Sequence, residues 1–349
     1  MLRRALVTGI SGQDGSYLAE LLITLGYEVH GVVRRASSTN LHRIQHLIGL
    51  VTLHYGDMTD SSRIRHILSL VRPTEVYNLA GQSDVPMSFE CPAYTAEVNA
   101  IGALHVLDAV RSSGLDKVCR IYQASTSELF GQVQETPQKV TTPFHPRSPY
   151  GVAKLFAHWT VVNYREAYGG YACNGILFNH ESPRRGVEFV TQKIVRGVVS
   201  VLDGSDEPLV LGNLASKRDW GHAKDYVRAM WMMLQQPEPQ DFVICTGVQC
   251  SVRDFVSKAF KFVGLDVIWQ GEGNNERGLV NGKTVVEVDA KHFRPAEVDS
   301  LVGCPEAAWD ILCWKPEYDL ERLISDMMTS ELARRRVAIP NTKGDLMGG

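Results

Sequence analysis

A tyrosine and a lysine four residues apart, in Ser148-Pro149-Tyr150-Gly151-Val152-Ala153-Lys154, are the pair in this chain best suited to proton chemistry. Positions i and i+4 of a helix share a face, so Tyr150 and Lys154 can point into one cleft. A nearby ammonium favours the phenolate and is expected to lower Tyr150 from the ordinary tyrosine value of about 10, making it a base for oxidation of an alcohol. A Tyr and a Lys at this spacing also occur as accidental surface pairs. Upstream, however, stands Gly9-Ile10-Ser11-Gly12-Gln13-Asp14-Gly15. Gly9, Gly12 and Gly15 fall between a predicted strand and a predicted helix. There the missing side chains let the backbone approach a pyrophosphate, and the helix N-terminus supplies positive partial charge.

Thr126-Ser127-Glu128 follows a later predicted strand and brings a carboxylate toward Tyr150. Oxidation alone does not need it. A sugar oxidised to a ketone at carbon 4 has an acidic proton at carbon 5, which a carboxylate can remove while the carbon 6 hydroxyl leaves as water. Glu128 therefore suggests elimination; its bland alternative is a helix N-terminal carboxylate satisfied by backbone amides.

Positioning these groups requires strands that end at a common edge. Ala5–Thr8, Glu28–Val33, Val51–Tyr55, Glu75–Leu79, Arg120–Gln123 and Cys173–Phe178 read as strands separated by helix-length segments. That rhythm predicts an α/β fold with a doubly wound parallel sheet, Rossmann-like, whose strands are buried on both faces. Beyond His180 the pattern loosens into a helix around Phe189–Val201, short strands near Leu209 and Val243, and helices near Asp254–Val263 and Leu320–Met328. A second, smaller α/β substrate domain is expected. The division is residues 1–179 for the cofactor and 180–349 for the substrate, with late segments near 215–245 able to return to the first sheet. Gly271–Gly282 is expected to be a flexible loop and Asn341–Gly349 a frayed tail.

The 349 residues, 44% hydrophobic, are enough for one large or two ordinary domains. A formal charge of −3 and the lack of a long basic run leave no electrostatic footprint for nucleic acid or a membrane surface. No stretch reaches the ~18 apolar residues of a membrane span, and the run after Arg3-Arg4 is too short for a secretory core. Seven cysteines without a Cys-x-x-Cys suit a reducing cytosol, and no metal site is expected. The second strand ends in Val33-Arg34-Arg35-Ala36-Ser37. Where an acidic residue would bind the ribose of NAD, two cations and a hydroxyl are offered to a 2′-phosphate, which predicts NADP(H). Asp57-Met58 and Leu79-Ala80-Gly81-Gln82-Ser83 fall at carboxyl ends of strands, where ligands of open parallel sheets bind, and Asp57 suits the adenine amino group.

The chain resembles the extended short-chain dehydrogenase/reductase family, and within it the GDP-mannose 4,6-dehydratases. Long blocks carry the resemblance: Val7-Thr8-Gly9, Tyr122 to Gly131, Pro146 to Gly151, Gly175 to Pro183, Lys217-Arg218-Asp219-Trp220-Gly221 and Phe293 to Asp299. It implies an internal redox cycle on GDP-mannose: oxidation at carbon 4 with NADP+, loss of water across carbons 5 and 6, and return of the hydride to carbon 6. Tyr150 would be the base, Lys154 its tuning partner on the nicotinamide ribose, Thr126 a bond to the carbon 4 oxygen, and Glu128 the base for carbon 5 and acid for the leaving hydroxyl. Related dehydratases have Asp then Glu where this chain has Ser127 then Glu128, so one carboxylate would serve both transfers. Family cofactor positions match Gly9, Ser11, Gly12, Gln13, Asp14, Gly15, Arg34, Arg35, Ser37, Asp57, Met58, Leu79, Ala80, Gln82, Ser83, Tyr94, Tyr150, Lys154, His180 and Arg185. Substrate positions match Ser83, Thr126, Glu128, Asn179, Val190, Lys193, Arg218, Arg294 and Glu297. Arg218 and Arg294 suit a diphosphate, which rewards several cationic partners. Where the family commonly has Ala-Gln-Ser-His, this chain has Gly81-Gln82-Ser83-Asp84. The family also implies a homodimer or homotetramer. A reductase or epimerase of another nucleotide sugar shares the glycine turn and the Tyr-Lys pair, and only Glu128 and the substrate-side blocks speak against it. A catalytically idle NADP-binding protein is the remaining alternative.

Overall fold

The computed structural model describes residues 3–37, 40–293 and 295–337. Arg294 and the tail 341–349 lie outside the described residues. The first half alternates strand and helix: β1 Arg4–Thr8, α1 Gln13–Thr24, β2 Glu28–Val33, β3 Val51–Tyr55, α2 Ser61–Val71, β4 Glu75–Asn78, short helices α3 Val85–Glu90 and α4 Pro92–Ala96, α5 Gly102–Ser112, β5 Arg120–Thr126, α6 Pro149–Tyr168 and β6 Ala172–Leu177. There follow β7 Asn179–Glu181, α7 Val190–Leu202, β8 Leu209–Leu211, β9 Lys217–His222, α8 Ala223–Leu234, β10 Phe242–Ile244, β11 Gln249–Ser251, α9 Val252–Phe262, β12 Ile268–Gln270, β13 Arg277–Val280, β14 Lys283–Val288, α10 Glu306–Leu312 and α11 Leu320–Arg335.

Seven strands form one parallel sheet in the order β10-β6-β5-β4-β1-β2-β3. The order reverses at β1, which opens a crevice beyond the carboxyl ends of β1 and β4. β4 and β6 are buried along their whole length, because helices cover both faces. On one face Leu18 and Leu22 of α1 pack with Tyr226, Met230 and Met233 of α8. On the other, Ile64, Ile67 and Leu68 of α2 meet Val106, Leu107 and Val110 of α5. Of the late segments, β9 joins a three-stranded sheet β11-β9-β7, whereas β10 lies beside β6 in the large sheet. A four-stranded sheet, β12-β13-β14-β8, completes the second region. Its core is built from Val195 and Val198 of α7, Phe255 and Ala259 of α9, and Leu323 and Met327 of α11.

The expectation of a flexible loop over Gly271–Gly282 is corrected: β13 lies within it and pairs antiparallel with both β12 and β14. The turn between β13 and β14 is Asn281-Gly282 at φ 51° and 78°, the pairing that suits a tight hairpin because both central residues need positive φ. Glycine and asparagine here make a turn rather than a disordered segment.

α6 carries Tyr150 and Lys154, and its ends are set locally. Ser148 accepts from Gly151 N at 3.0 Å, Pro149 opens the helix, and Gly169 at φ 61° closes it. Near the far end Arg165 donates to both oxygens of Asp241, at 2.8 and 3.1 Å, and Asp241 Oδ1 also accepts from Asn174 N at 2.7 Å. The carboxylate thus ties α6 to β6 and to the entry of β10. Removing one partner of a buried, hydrogen-bonded pair costs about 3–5 kcal/mol. Asp241→Ala is accordingly expected to lower the urea unfolding midpoint by the equivalent of about 3 kcal/mol with little change in m; an unchanged midpoint would show that the pair is dispensable.

Candidate active site

A cleft of about 1110 Å³ runs along the carboxyl ends of the large sheet and between it and the second region. The glycine turn forms one wall. Gly9 stands at φ 69°, and its carbonyl accepts from Gly12 N at 2.9 Å. A Cβ on Gly9 would lie 2.9 Å from the Ala80 backbone, and one on Gly15 would lie 2.3 Å from Gly9 O. Neither gap admits a side chain, so the turn presses against the loop after β4 and leaves the first amides of α1 facing the cleft.

Most of the residues singled out from sequence line this one cleft: Gly9, Ser11, Gly12, Gln13, Asp14, Gly15, Arg34, Asp57, Met58, Leu79, Ala80, Gln82, Ser83 and Tyr94 on the sheet side, and His180 and Arg185 facing them. Arg35 and Ser37 are not brought to its wall; both are exposed, since the chain leaves the sheet after Val33 and only Arg34 turns inward, bonded to the Tyr94 hydroxyl. Arg43, which the sequence offered only as the end of an Arg-, Ser- and Asn-rich segment able to reach a neighbouring subunit, lines the cleft of its own chain, and its Nε donates to Arg184 O at 2.7 Å. Asn99 supports the loop after β4, accepting from Gln82 N at 2.9 Å and donating to Gln82 O at 2.8 Å. Nothing in its local sequence marks it; it sits in a π-turn, Glu97–Ile101, between two helices. Asp84 caps α3, accepting from Met87 N at 3.2 Å.

The residues that the sequence offers for proton chemistry meet at the end of β5. Thr126 closes the strand, and its hydroxyl oxygen accepts from Glu128 N at 3.2 Å, starting the single turn Ser127–Leu129. Thr126, Glu128, Tyr150 and Lys154 are each less than a tenth exposed yet all line the cleft. The expected lowering of Tyr150 is corrected. Burial pushes it up to about 12; the Thr126 hydroxyl bond works to lower it, Glu128 to raise it further and Arg185 to lower it. Lys154 Nζ lies 5.9 Å from the Tyr150 ring centre and donates to Ala124 O at 3.0 Å. Burial pulls the lysine down to about 8, against the attraction of Asp14. Desolvation is the leading cause of both shifts.

Asn179, Val190, Lys193, Arg218 and Glu297 line the opposite wall. Arg218 lies on β9, and β9 is held by Asp219, whose carboxylate accepts from Thr246 N and Oγ1 at 2.9 and 2.6 Å and from Gly247 N at 2.8 Å. Burial raises Asp219 to about 6 despite these bonds. Asn179 pairs with Trp220 in parallel register, which puts Arg218 two residues back from it along β9.

The two walls are joined by the first turn of α1. Asp14 Oδ2 and His180 Nε2 are 2.7 Å apart, Gln13 Nε2 donates to His180 O at 3.1 Å, and Ser182 donates to Gln13 Oε1 at 2.7 Å. Burial works to raise Asp14, but the attraction and bond of His180 win and hold it below 3.8. Burial likewise works to lower His180, but Asp14 holds it above 6.5. The pair's stabilisation is complete only where both are charged. It is lost as pH falls through the depressed Asp14 value and as pH rises through the raised His180 value. The melting temperature of the wild type should exceed that of His180→Gln most between about pH 4 and 6.5, with the difference shrinking at higher pH; a difference independent of pH would overturn the pairing.

The comparisons with known proteins agree with one another. The family model described as GDP-mannose 4,6 dehydratase matches residues 6–327. A GDP-mannose 4,6-dehydratase of Vibrio cholerae is 54% identical over 351 residues, covering 95% of this chain and 94% of that protein. The human GDP-mannose 4,6 dehydratase is 55% identical over 342 residues, covering 95% and 92%. Among solved structures, the UDP-glucose 4-epimerase of Thermotoga maritima with UDP-glucose superposes at TM-score 0.78 with 26% identity, covering 96% of this chain and 100% of that one. A dTDP-glucose 4,6-dehydratase of Bacillus anthracis in complex with NAD shares the fold at TM-score 0.78 and 18% identity, covering 96% and 98%. With the match running through both walls of the cleft, the chain belongs to the GDP-mannose 4,6-dehydratase family.

Proposed function

We propose that this protein dehydrates GDP-mannose to GDP-4-keto-6-deoxy-mannose with NADP(H) retained through the cycle. The observation that carries the reading is Glu128, a carboxylate held at the buried end of the cleft beside Thr126 and Tyr150, because oxidation or epimerisation alone would not require it there. The residues present suit a dinucleotide. Gly9 and Gly15 keep the turn tight and bare, since a Cβ on either would strike backbone, and Gln82 Oε1 is a buried acceptor with no partner among the described residues. Arg34 and Arg43 at the cleft wall, with no carboxylate at the end of β2, support NADP over NAD. A bound nicotinamide supplies reversible two-electron redox chemistry at the sugar.

In this reading Tyr150 removes the carbon 4 hydroxyl proton, and the Thr126 hydroxyl bonds the same oxygen. Lys154 supplies positive charge beside the phenolate and holds the nicotinamide ribose. Glu128 removes the carbon 5 proton and then protonates the departing carbon 6 hydroxyl, so both transfers use one carboxylate and Ser127 takes no proton. Asn179, Lys193, Arg218, Arg294 and Glu297 hold the GDP moiety, with the cofactor on residues 1–179 and the nucleotide sugar on 180–349. His180 and Arg185, from the second part, face the cofactor turn. A homodimer or homotetramer is supported by Val152, Phe156 and Trp159, one stripe of α6 that is 56, 45 and 55% exposed. A cytosolic setting is supported by seven cysteines that carry no disulfide.

The test is a proton NMR time course with GDP-mannose and catalytic NADP+, without added reductant. A deoxy-sugar methyl doublet should appear with no net NADPH; unchanged GDP-mannose would overturn the reading. Tyr150→Phe should lower kcat by roughly 10²–10⁴-fold. Glu128→Gln should stop methyl formation while still allowing reduced cofactor to accumulate in a single turnover, whereas normal methyl formation by that variant would remove Glu128 from the elimination.

A further inference from the structure

Beneath the floor of the cleft, side chains of three neighbouring strands form a continuous hydrogen-bonded ladder. Thr8, at the end of β1, donates from Oγ1 to Asn78 Oδ1 at 2.7 Å. Asn78, at the end of β4, donates from Nδ2 to Gln123 Oε1 at 2.7 Å. Gln123, on β5, donates from Nε2 to Ala124 O at 3.0 Å. The same Ala124 carbonyl accepts from Lys154 Nζ at 3.0 Å. The three ladder residues are 1, 2 and 3% exposed, so none is held there by solvent. At its other end the Thr8 hydroxyl oxygen accepts from Leu79 N and Ala80 N, both at 3.1 Å.

We propose that Gln123 is a positioning residue of the active site, holding the Ala124 carbonyl as the fixed acceptor for Lys154 and joining that acceptor to the glycine turn through Asn78 and Thr8. The proposal rests on the reading of Lys154 as a functional group. The physical argument is one of alternatives. A buried ammonium needs oriented acceptors in place of water, and among the described residues Lys154 Nζ donates to Ala124 O. That carbonyl has two acceptor sites, and Gln123 takes one, which restrains rotation of the peptide. The Lys154 side is tight as well: a Cβ on Gly81, in the loop after β4, would stand 3.7 Å from Lys154 Nζ and 2.8 Å from Asn99 Oδ1. On that side the lysine is in van der Waals reach of the loop after β4. Of the titratable groups around it, Asp14 from α1 favours the ammonium, and Tyr150 shares its helix. Glu128 and Arg185 act on Tyr150 with opposite signs.

Gln123→Met keeps the shape of the side chain but breaks the ladder at both of its bonds. Gln123→Glu retains an acceptor for Asn78, loses the donor to Ala124 O, and places a carboxylate two hydrogen bonds from the ammonium. Titration of Lys154 is read without turnover, by competitive labelling with acetic anhydride over a pH series and mass spectrometry of the Lys154 peptide, in the full chain. The midpoint should move down by about one pH unit in Gln123→Met, where the ammonium loses its fixed acceptor, and up in Gln123→Glu. In steady state Gln123→Met should lower kcat about ten-fold, with KM for GDP-mannose within about two-fold and the alkaline limb of kcat moved to lower pH. Wild-type midpoints in both variants, or shifts of the opposite sign, would overturn the proposal, as would equal losses in melting temperature and activity with an unmoved midpoint. Should Gln123→Met fail to fold, the Gln123→Glu midpoint decides alone. Should the wild type leave GDP-mannose unchanged, the proposed function fails, while the labelling midpoints still decide the role of Gln123.

Discussion

Withdrawal of water from a carboxylate, a phenol and an ammonium at one end of a cleft is the constraint on which the rest of this structure depends. Glu128, Tyr150 and Lys154 are all nearly buried, and burial pushes Tyr150 and Lys154 toward their uncharged forms. The fold meets the phenol and the ammonium with oriented dipoles: the Thr126 hydroxyl at Tyr150 and the Ala124 carbonyl at Lys154. Such groups must be held by something rigid, and here they lie at the end of β5, in register with β6, on a strand that β4 pairs as far as Gln123.

The same economy of geometry governs the wall formed by the glycine turn. The glycine turn can approach the loop after β4 only because no Cβ intervenes, and that approach lets the Thr8 hydroxyl reach two backbone amides of the neighbouring strand end. Asp14 stands at the start of α1, where the helix dipole favours negative charge, and His180 from β7 compensates it. A single turn of helix thereby belongs to both regions of the molecule, and the two walls of the cleft are registered to each other through it.

Much of this was legible in the residues. Ser148-Pro149 and Gly169 announce the ends of α6 by capping chemistry that acts within one turn, so the spacing of Tyr150 and Lys154 on one face follows from local rules. The strands are legible because burial on both faces demands unbroken apolar runs such as Val76-Tyr77 and Ile121-Tyr122. Gly271–Gly282 misled because asparagine and glycine mark tight hairpin turns as readily as loose loops, and only pairing with β12 and β14 distinguishes them. Asn99 carried no local signal, and the roles of Arg43 and Gln123 were not legible, since what each does depends on a strand or loop distant in the chain.

The sequence by itself determined the chemistry available and its order along the chain: a strand, a glycine turn and a helix, then a Thr-Ser-Glu turn, then Tyr150 and Lys154 on one helical face. These follow from short-range sterics and hydrogen bonding that the chain cannot avoid. Only the tertiary structure decided how those groups are charged. The ionisation of Tyr150 and Lys154 is set by how much water the packed walls exclude, and that of Asp14 and His180 by a partner 166 residues away. Desolvation and long-range pairing are properties of the assembled cleft, which is why the spacing of Tyr150 and Lys154 could be read in advance while the direction of the tyrosine's shift could not.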